Sequence, residues 1–167
     1  MADAATITTK AVLLPDEVQL TLKDLTFAYT PADANDKWFY GLINVPHNTG
    51  GVDLISGEFL SNSAGKNTGS STASITTSDK VKFLFVKNTG TKDGSSSTDE
   101  SVMFVFDGST VAHGSTNAVV IDAGESWYVK LPNTTVGDLH AISADADQTV
   151  GGGNVQCIVA AILDDVA

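Results

Sequence analysis

The sequence contains no arginine. All nine of its basic residues are lysines, and the twenty acidic residues give it a net charge of −11 at pH 7. Nucleic-acid binding depends on basic patches and on arginine side chains that grip phosphates and guanine edges. An anionic membrane surface would repel a chain of this charge. The composition therefore predicts that the chain binds neither nucleic acids nor membranes.

Cysteine and long apolar runs are scarce as well. Cys157 is the single cysteine, so no internal disulfide can form, which fits synthesis in a reducing cytoplasm. The longest apolar run, residues 157–163, has the length of a strand, whereas a membrane-spanning helix needs roughly 18 residues. The N-terminus also lacks the basic start and apolar core of a secretory signal. We expect a soluble, cytoplasmically made protein.

What the sequence does contain is a series of short apolar or alternating segments. Clusters of Gly, Asn, Asp, Ser and Thr, which favour turns, separate them. The segments lie at residues 18–22, 25–29, 37–45, 52–60, 73–77, 81–87, 102–107, 118–122, 126–131, 139–143 and 155–163. No window has a helical stripe, and residues 30–37 allow at most one short turn. Roughly ten short strands predict an all-β protein, an antiparallel β-sandwich of jelly-roll or immunoglobulin-like type.

The spacing of these segments also suggests a domain organisation. Strands are closest together from Val81 onward, where residues 122–125 are predicted to form a tight turn, so we place the sandwich core at residues 61–167. Residues 1–60 then supply strands or an arm that completes the domain, or a contact with another subunit. The Ser-, Thr- and Gly-rich segments 61–71 and 88–100 are expected to be exposed loops, because they have little apolar surface to bury.

Two of the predicted strands are apolar on both faces. Met103 and Val105 lie opposite the predicted core face of the strand at residues 102–107, and Ile158 and Ile162 do so in the last strand. Such strands need cover on both faces, because large apolar patches are rarely left open in soluble monomers. Either the chain's own N-terminal region supplies this cover or another subunit does.

The aromatic residues allow a similar choice. Trp38, Tyr40, Trp127 and Tyr128 could form a sugar-stacking platform, but adjacent strand residues point to opposite faces, so Trp127 and Tyr128 cannot share one. Core packing or burial in an interface explains them better. The candidate interface residues are Trp38, Tyr40, Met103, Val105, Trp127, Ile158 and Ile162.

Patterns that carry catalysis or metal binding are missing. His47, His113 and His140 lie in separate segments without the spacing of a zinc site. Residues 145–149 resemble a calcium loop only faintly, because the required glycine and terminal glutamate are misplaced. Ser126 follows a Gly-Glu pair, but a tyrosine replaces the second glycine of a nucleophile elbow and a strand replaces its helix. We therefore expect no enzyme activity, no metal and no cofactor.

Several motifs together are similar to virion structural proteins of tailed phages, particularly marine cyanophage-like ones. The motifs are KVKFLFVKNTG at residues 80–90, SVMFVFDG at 101–108, VIDAGESWY at 120–128, DLHAIS at 138–143 and CIVAAIL at 157–163. They lie within residues 80–163, about half of the chain, and residues 35–45 and 53–60 extend the likeness. The resemblance implies a compact β-sandwich of the kind used in capsid-decorating and head or tail accessory proteins, without an active site.

The resemblance and the two-faced strands lead to a functional expectation. The chain is expected to be a decoration or cement protein that binds the major capsid protein on the outer surface of the virion and stabilises the particle. We also expect a homo-oligomer, with a trimer as one possibility. The alternative is a receptor- or carbohydrate-binding β-sandwich module of a phage tail, neck or fibre.

Overall fold

The structure is a computed structural model that describes residues 4–13, 20–30, 36–47, 50–60, 71–145, 147–150 and 152–164. Within these ranges it contains one 3-10 turn, Val136–Asp138, and no helix that is long and apolar enough to cross a membrane. The strands within the described residues are β1 Ala5–Leu13, β2 Leu20–Tyr29, β3 Asp36–Val45, β4 Val52–Asp53, β5 Glu58–Leu60, β6 Ser71–Ser74, β7 Lys80–Asn88, β8 Ser101–Val105, β9 Val119–Ile121, β10 Ser126–Val129, β11 His140–Ala144 and β12 Val155–Asp164.

The strands form three antiparallel sheets. A six-stranded sheet has the order β10-β7-β12-β3-β5-β6, a four-stranded sheet has the order β4-β11-β8-β9, and β1 and β2 pair only with each other. The longest ladder joins β12 to β3, from Val155↔Val45 to Asp164↔Asp36. The prediction of an all-β, antiparallel sandwich is confirmed.

The main core lies between the six-stranded and four-stranded sheets. Alternate residues of β3, β7, β8 and β12 point into it, which is the arrangement that the twofold side-chain period of a strand produces. Full burial of each large apolar side chain there contributes about 1.5–3 kcal/mol of transfer free energy. Its buried members include Phe39, Val45, Leu84, Val86, Val102, Phe104, Ile121, Ala141, Val159 and Ala161.

A buried asparagine joins the two sheets of the sandwich. The side-chain Nδ2 of Asn88, at the end of β7, donates to the backbone carbonyls of Glu100 at 2.9 Å and Ile121 at 3.2 Å. Its Oδ1 accepts a hydrogen bond from the backbone N–H of Gly90 at 2.9 Å. Because Asn88 is fully buried, each of these groups would otherwise be without a partner away from water.

The predicted tight turn at residues 122–125 is also confirmed, and it has an additional role. The N–H of Glu125 donates to the carbonyl of Asp122 at 2.9 Å, and Gly124 has a φ of +84°, which favours glycine. The turn connects β9 of the four-stranded sheet to β10 of the six-stranded sheet. It therefore carries the chain from one layer of the sandwich to the other.

The first 60 residues contribute strands to two parts of the structure. β3 lies between β12 and β5 inside the six-stranded sheet, so it belongs to the sandwich itself. β1 and β2 form a separate hairpin, which we call the arm. The side chains of Ala5, Ile7 and Phe27 of the arm pack on the sandwich.

Other differences from the sequence expectations are local. The sequence predicts one strand at residues 52–60, but β4 and β5 belong to different sheets, because the buried Leu54 and Ile55 between them turn into the core. β1 was not expected from the periodicity. Of the exposed loop predicted at residues 88–100, residues 92–97 are exposed, but Asn88 and Glu100 at its two ends are buried, so the prediction is wrong there. Residues 61–70 of the other loop, and residues 31–35 of the possible turn, lie outside the described residues.

Candidate functional site

The outer face of the six-stranded sheet points away from the main core and carries three rows of paired residues, which are apolar except for Lys87. The first row joins Phe83, Ile162 and Trp38. The second joins Tyr128, Phe85, Ala160 and Tyr40. The third joins Lys87, Ile158 and Leu42. A sheet of this kind is buried on one side by its own core and needs a second cover on the other.

The arm supplies that cover over the first row. Phe27 of the arm lies 5.8 Å from the Phe83 ring and 5.0 Å from the Tyr128 ring, measured between centroids. The hydroxyls of Thr9 and Tyr128 are 2.7 Å apart. As a result Ile162 is fully buried. The arm adds no strand to either sheet of the sandwich, so these contacts are made through side chains.

The arm does not cover the third row, or the Tyr40 end of the second row, in the same way. Tyr40 is 58% exposed and Leu42 is 55% exposed, while Ile158 and Ala160 beside them are half-buried. We call these four residues the outer patch: Tyr40, Leu42, Ile158 and Ala160. An open groove of about 360 Å³ runs between the patch and the arm, with Trp38, Phe85 and Ala160 in its lining.

Three lysines lie near the outer patch and the arm. Lys87 is exposed and directly pairs with Ile158 of the outer patch. Lys82 is paired with Asp164 at 2.9 Å, and the Lys130 ammonium lies 5.2 Å from the centroid of the Phe27 ring. The outer patch is therefore apolar with a positive neighbour, in a chain whose net charge is −11.

The predicted interface residues fall into three groups. Tyr40 and Ile158 lie in the outer patch, whereas Trp38 and Ile162 pack beneath the arm. Trp127 is half-buried against the main core, with its ring centroid 5.1 Å from that of Phe104. Trp127 and Tyr128 do point to opposite faces, as the strand geometry requires.

Met103 and Val105, which the sequence predicts as interface residues, are covered by the chain itself and not by a partner. Both are fully buried in a second small cluster on the outer side of the four-stranded sheet. Val111 is buried in that cluster too, and Ala118 packs against it. Because the connection between β8 and β9 supplies this cover, these two side chains are not available to a partner.

Polar groups that the sequence singled out are separated in space. His47 lies 3.3 Å from Asn154 Oδ1, His113 Nε2 lies 3.0 Å from the carbonyl of Ser143, and His140 lies 3.2 Å from an oxygen of Asp53. Among the residues that the structure describes, no three His, Cys, Asp or Glu side chains are grouped to hold a metal ion.

Cys157 is buried in the main core, on β12. Its desolvation raises the pKa of the Cys157 thiol to about 12, because burial disfavours the charged thiolate. The thiol is therefore kept in its protonated, unreactive form at neutral pH.

Two exposed apolar side chains were not identified from the sequence. Leu42 stands between Gly41 and Ile43 in a strand whose sequence pattern is that of a buried core strand. Only its pairing with Ile158 shows that it faces outward. Val150 is 69% exposed in a polar loop. Neither position has a sequence signal that distinguishes an exposed side chain from a buried one.

Comparison with models of protein families, with curated proteins and with solved structures finds no match to this chain. The interpretation of the outer patch therefore depends on its own geometry and on the sequence.

Proposed function

We propose that this chain is a non-catalytic structural protein of a virus particle, of the capsid-decorating type, and that the outer patch is the assembly surface that joins its copies into the oligomer that binds the shell. The observation that carries the proposal is that two apolar side chains, Tyr40 and Leu42, are exposed next to each other on a sheet face whose other residues are mainly apolar too. Isolated apolar residues on a surface need no explanation, but neighbours on a face that is apolar from strand to strand indicate a contact surface.

The charge supports a position on the outer surface of the shell. A chain with a net charge of −11 is repelled by packaged nucleic acid on the inner side. Its partner is the major capsid protein. A homo-oligomer of the chain, such as a trimer, presents several copies of the shell-binding surface at once. Linking binding sites in this way raises the overall affinity without any new contact.

The mechanism of stabilisation is mass action. A protein that binds the assembled shell and not its dissociated subunits stabilises the shell by its binding free energy, about 2.7 kcal/mol per site when its free concentration is 100 times its Kd. No chemical step is required, and the chain acts through its contacts alone.

The test is to add the purified protein back to shells from which it has been stripped. We expect the restored shells to survive heating to a higher temperature than the stripped ones, since every occupied site adds binding free energy. Shells incubated with an unrelated acidic β-sandwich protein are the control. Equal survival of restored and stripped shells would exclude the stabilising role.

The alternative role in glycan binding has less support from the geometry. Trp127 packs against the main core and Trp38 packs beneath the arm, so neither tryptophan provides an exposed stacking platform. Tyr40 is the exposed aromatic residue of the outer patch. Glycan-array binding that is lost in Tyr40→Ala would favour this alternative instead.

A further inference from the structure

A second exposed apolar group lies on the other layer of the sandwich. Val150 is bridged to Ala144, at the end of β11 in the four-stranded sheet, and is 69% exposed. Asp145 fixes the loop between them: its carboxylate accepts hydrogen bonds from the Thr149 hydroxyl at 2.7 Å and the Thr149 N–H at 2.8 Å. We call Asp145 and residues 147–150, the described residues of this segment, the Val150 loop.

The Val150 loop is negatively charged around its apolar side chain. Asp147 is exposed. The hydrogen bonds from Thr149 lower the pKa of Asp145, so this carboxylate stays ionised under ordinary conditions. The described residues of the loop therefore present the Val150 side chain together with the carboxylates of Asp145 and Asp147, and hydrogen bonds from Thr149 hold Asp145 in place.

The outer patch has the complementary character. Leu42 and Ile158 form an apolar surface in a paired row, and Lys87 occupies the next position of the same row. Tyr40, Leu42 and Val150 are the large apolar residues classed as exposed in the part of the chain that the structure describes. One site offers apolar surface with a cation, and the other offers an apolar group with anions.

We propose that the outer patch of one copy binds the Val150 loop of a second copy. This inference rests on the proposed function, because it names the occupant of the same assembly surface. The patch and the loop belong to different layers of the sandwich, so the contact is heterologous, and repeated contacts of this type close into a ring or form an open chain. The shell then binds through another part of the oligomer.

Opposite charges give the contact its orientation. Two copies that each carry a net charge of −11 repel one another, so a stable contact has to place a positive group of one copy against a negative group of the other. Lys87 beside the patch and Asp147 in the loop satisfy that requirement, while Val150 and Leu42 exclude water between them.

The experiment measures mass by light scattering for Leu42→Asp, for Val150→Asp and for their equimolar mixture. Thr116→Asp, which adds the same charge at an exposed turn, is the control. We expect the wild type and the control to form oligomers, and each of the two variants alone to run at the monomer mass of 17.3 kDa. Loss of the apolar contact is expected to weaken self-association by at least about 30-fold.

The mixture is the decisive sample. Leu42→Asp retains an intact loop and Val150→Asp retains an intact patch, so one productive contact remains and the mixture should give a dimer that grows no further. A monomeric mixture, variants that associate like the wild type, or a wild type that is monomeric at every concentration would overturn the inference. Circular dichroism checks the fold, and Leu42→Thr with Val150→Thr replaces the pair if an aspartate variant does not fold.

The test of contacts between copies and the test of shell binding can fail independently of each other. A wild type that oligomerises as described but does not bind stripped shells contradicts the shell role and leaves the contact between copies intact. A wild type that binds shells as a monomer contradicts the contact and leaves the shell role intact.

Discussion

Phe104→Ala is expected to lower the free energy of unfolding by about 3–5 kcal/mol, the usual range for truncating a buried phenylalanine. Phe104 is fully buried between the two sheets, and its ring meets Trp127 edge-on with centroids 5.1 Å apart. The alanine variant loses the transfer free energy of the ring and leaves a cavity beside Trp127. Chemical denaturation followed by tryptophan fluorescence measures the change directly.

Phe106→Ala is the matched control. Phe106 contacts the same tryptophan, with centroids 6.4 Å apart, but it is only half-buried. Its truncation should therefore have a clearly smaller effect, because water already reaches part of the ring. Equal losses for the two variants would mean that Phe104 is not enclosed by the two sheets as described.

Asn88→Ala is expected to destabilise the fold by about 3 kcal/mol, because it removes the side-chain donor to two carbonyls in a buried site and the acceptor of the half-buried Gly90 N–H. The hydrogen bonds of Asn88 to Glu100 and Ile121 join the end of β7 to the other sheet. Asn133→Ala, at an exposed turn position, should change the stability by less than about 0.5 kcal/mol. Thermal and denaturant unfolding of both variants provide the comparison.

Asn88→Asp separates hydrogen bonding from volume. Aspartate has nearly the same size, but its carboxylate cannot donate to the two carbonyls and places a charge in a buried site. We expect this variant to be at least as unstable as Asn88→Ala. A stable Asn88→Asp protein would show that the buried amide does not hold the two sheets together.

The fold was predictable from the sequence to the extent that it depends on local patterns. Alternation located most of the strands, and the turn chemistry of residues 122–125 located a tight turn that the structure contains. β1 was missed because residues 6–9 are mostly threonine, which gives little apolar alternation. The assignment of strands to sheets was not predictable either, since pairs such as β3 with β12 join residues more than one hundred positions apart.

The candidate site was predictable only in part, for a related reason. The apolar second face of β12 indicated that Ile158 and Ile162 need cover, and the structure covers Ile162 with the arm while Ile158 stays half-buried. Which of the two would be covered depends on where a distant hairpin packs. The apolar second face of β8 likewise indicated that Met103 and Val105 need cover. The sequence did not show where this cover comes from, because the loop that supplies it is polar except for a few residues such as Val111.

Binding to stripped shells, measured by co-sedimentation over a range of protein concentrations, tests the assembly role most directly. We expect the wild type and Thr116→Asp to saturate the shells at the same stoichiometry. We expect Leu42→Asp to bind at least about 10-fold more weakly, because the loss of contacts between copies removes the gain from multivalency. A wild-type protein that remains in the supernatant at every concentration would exclude the assembly role.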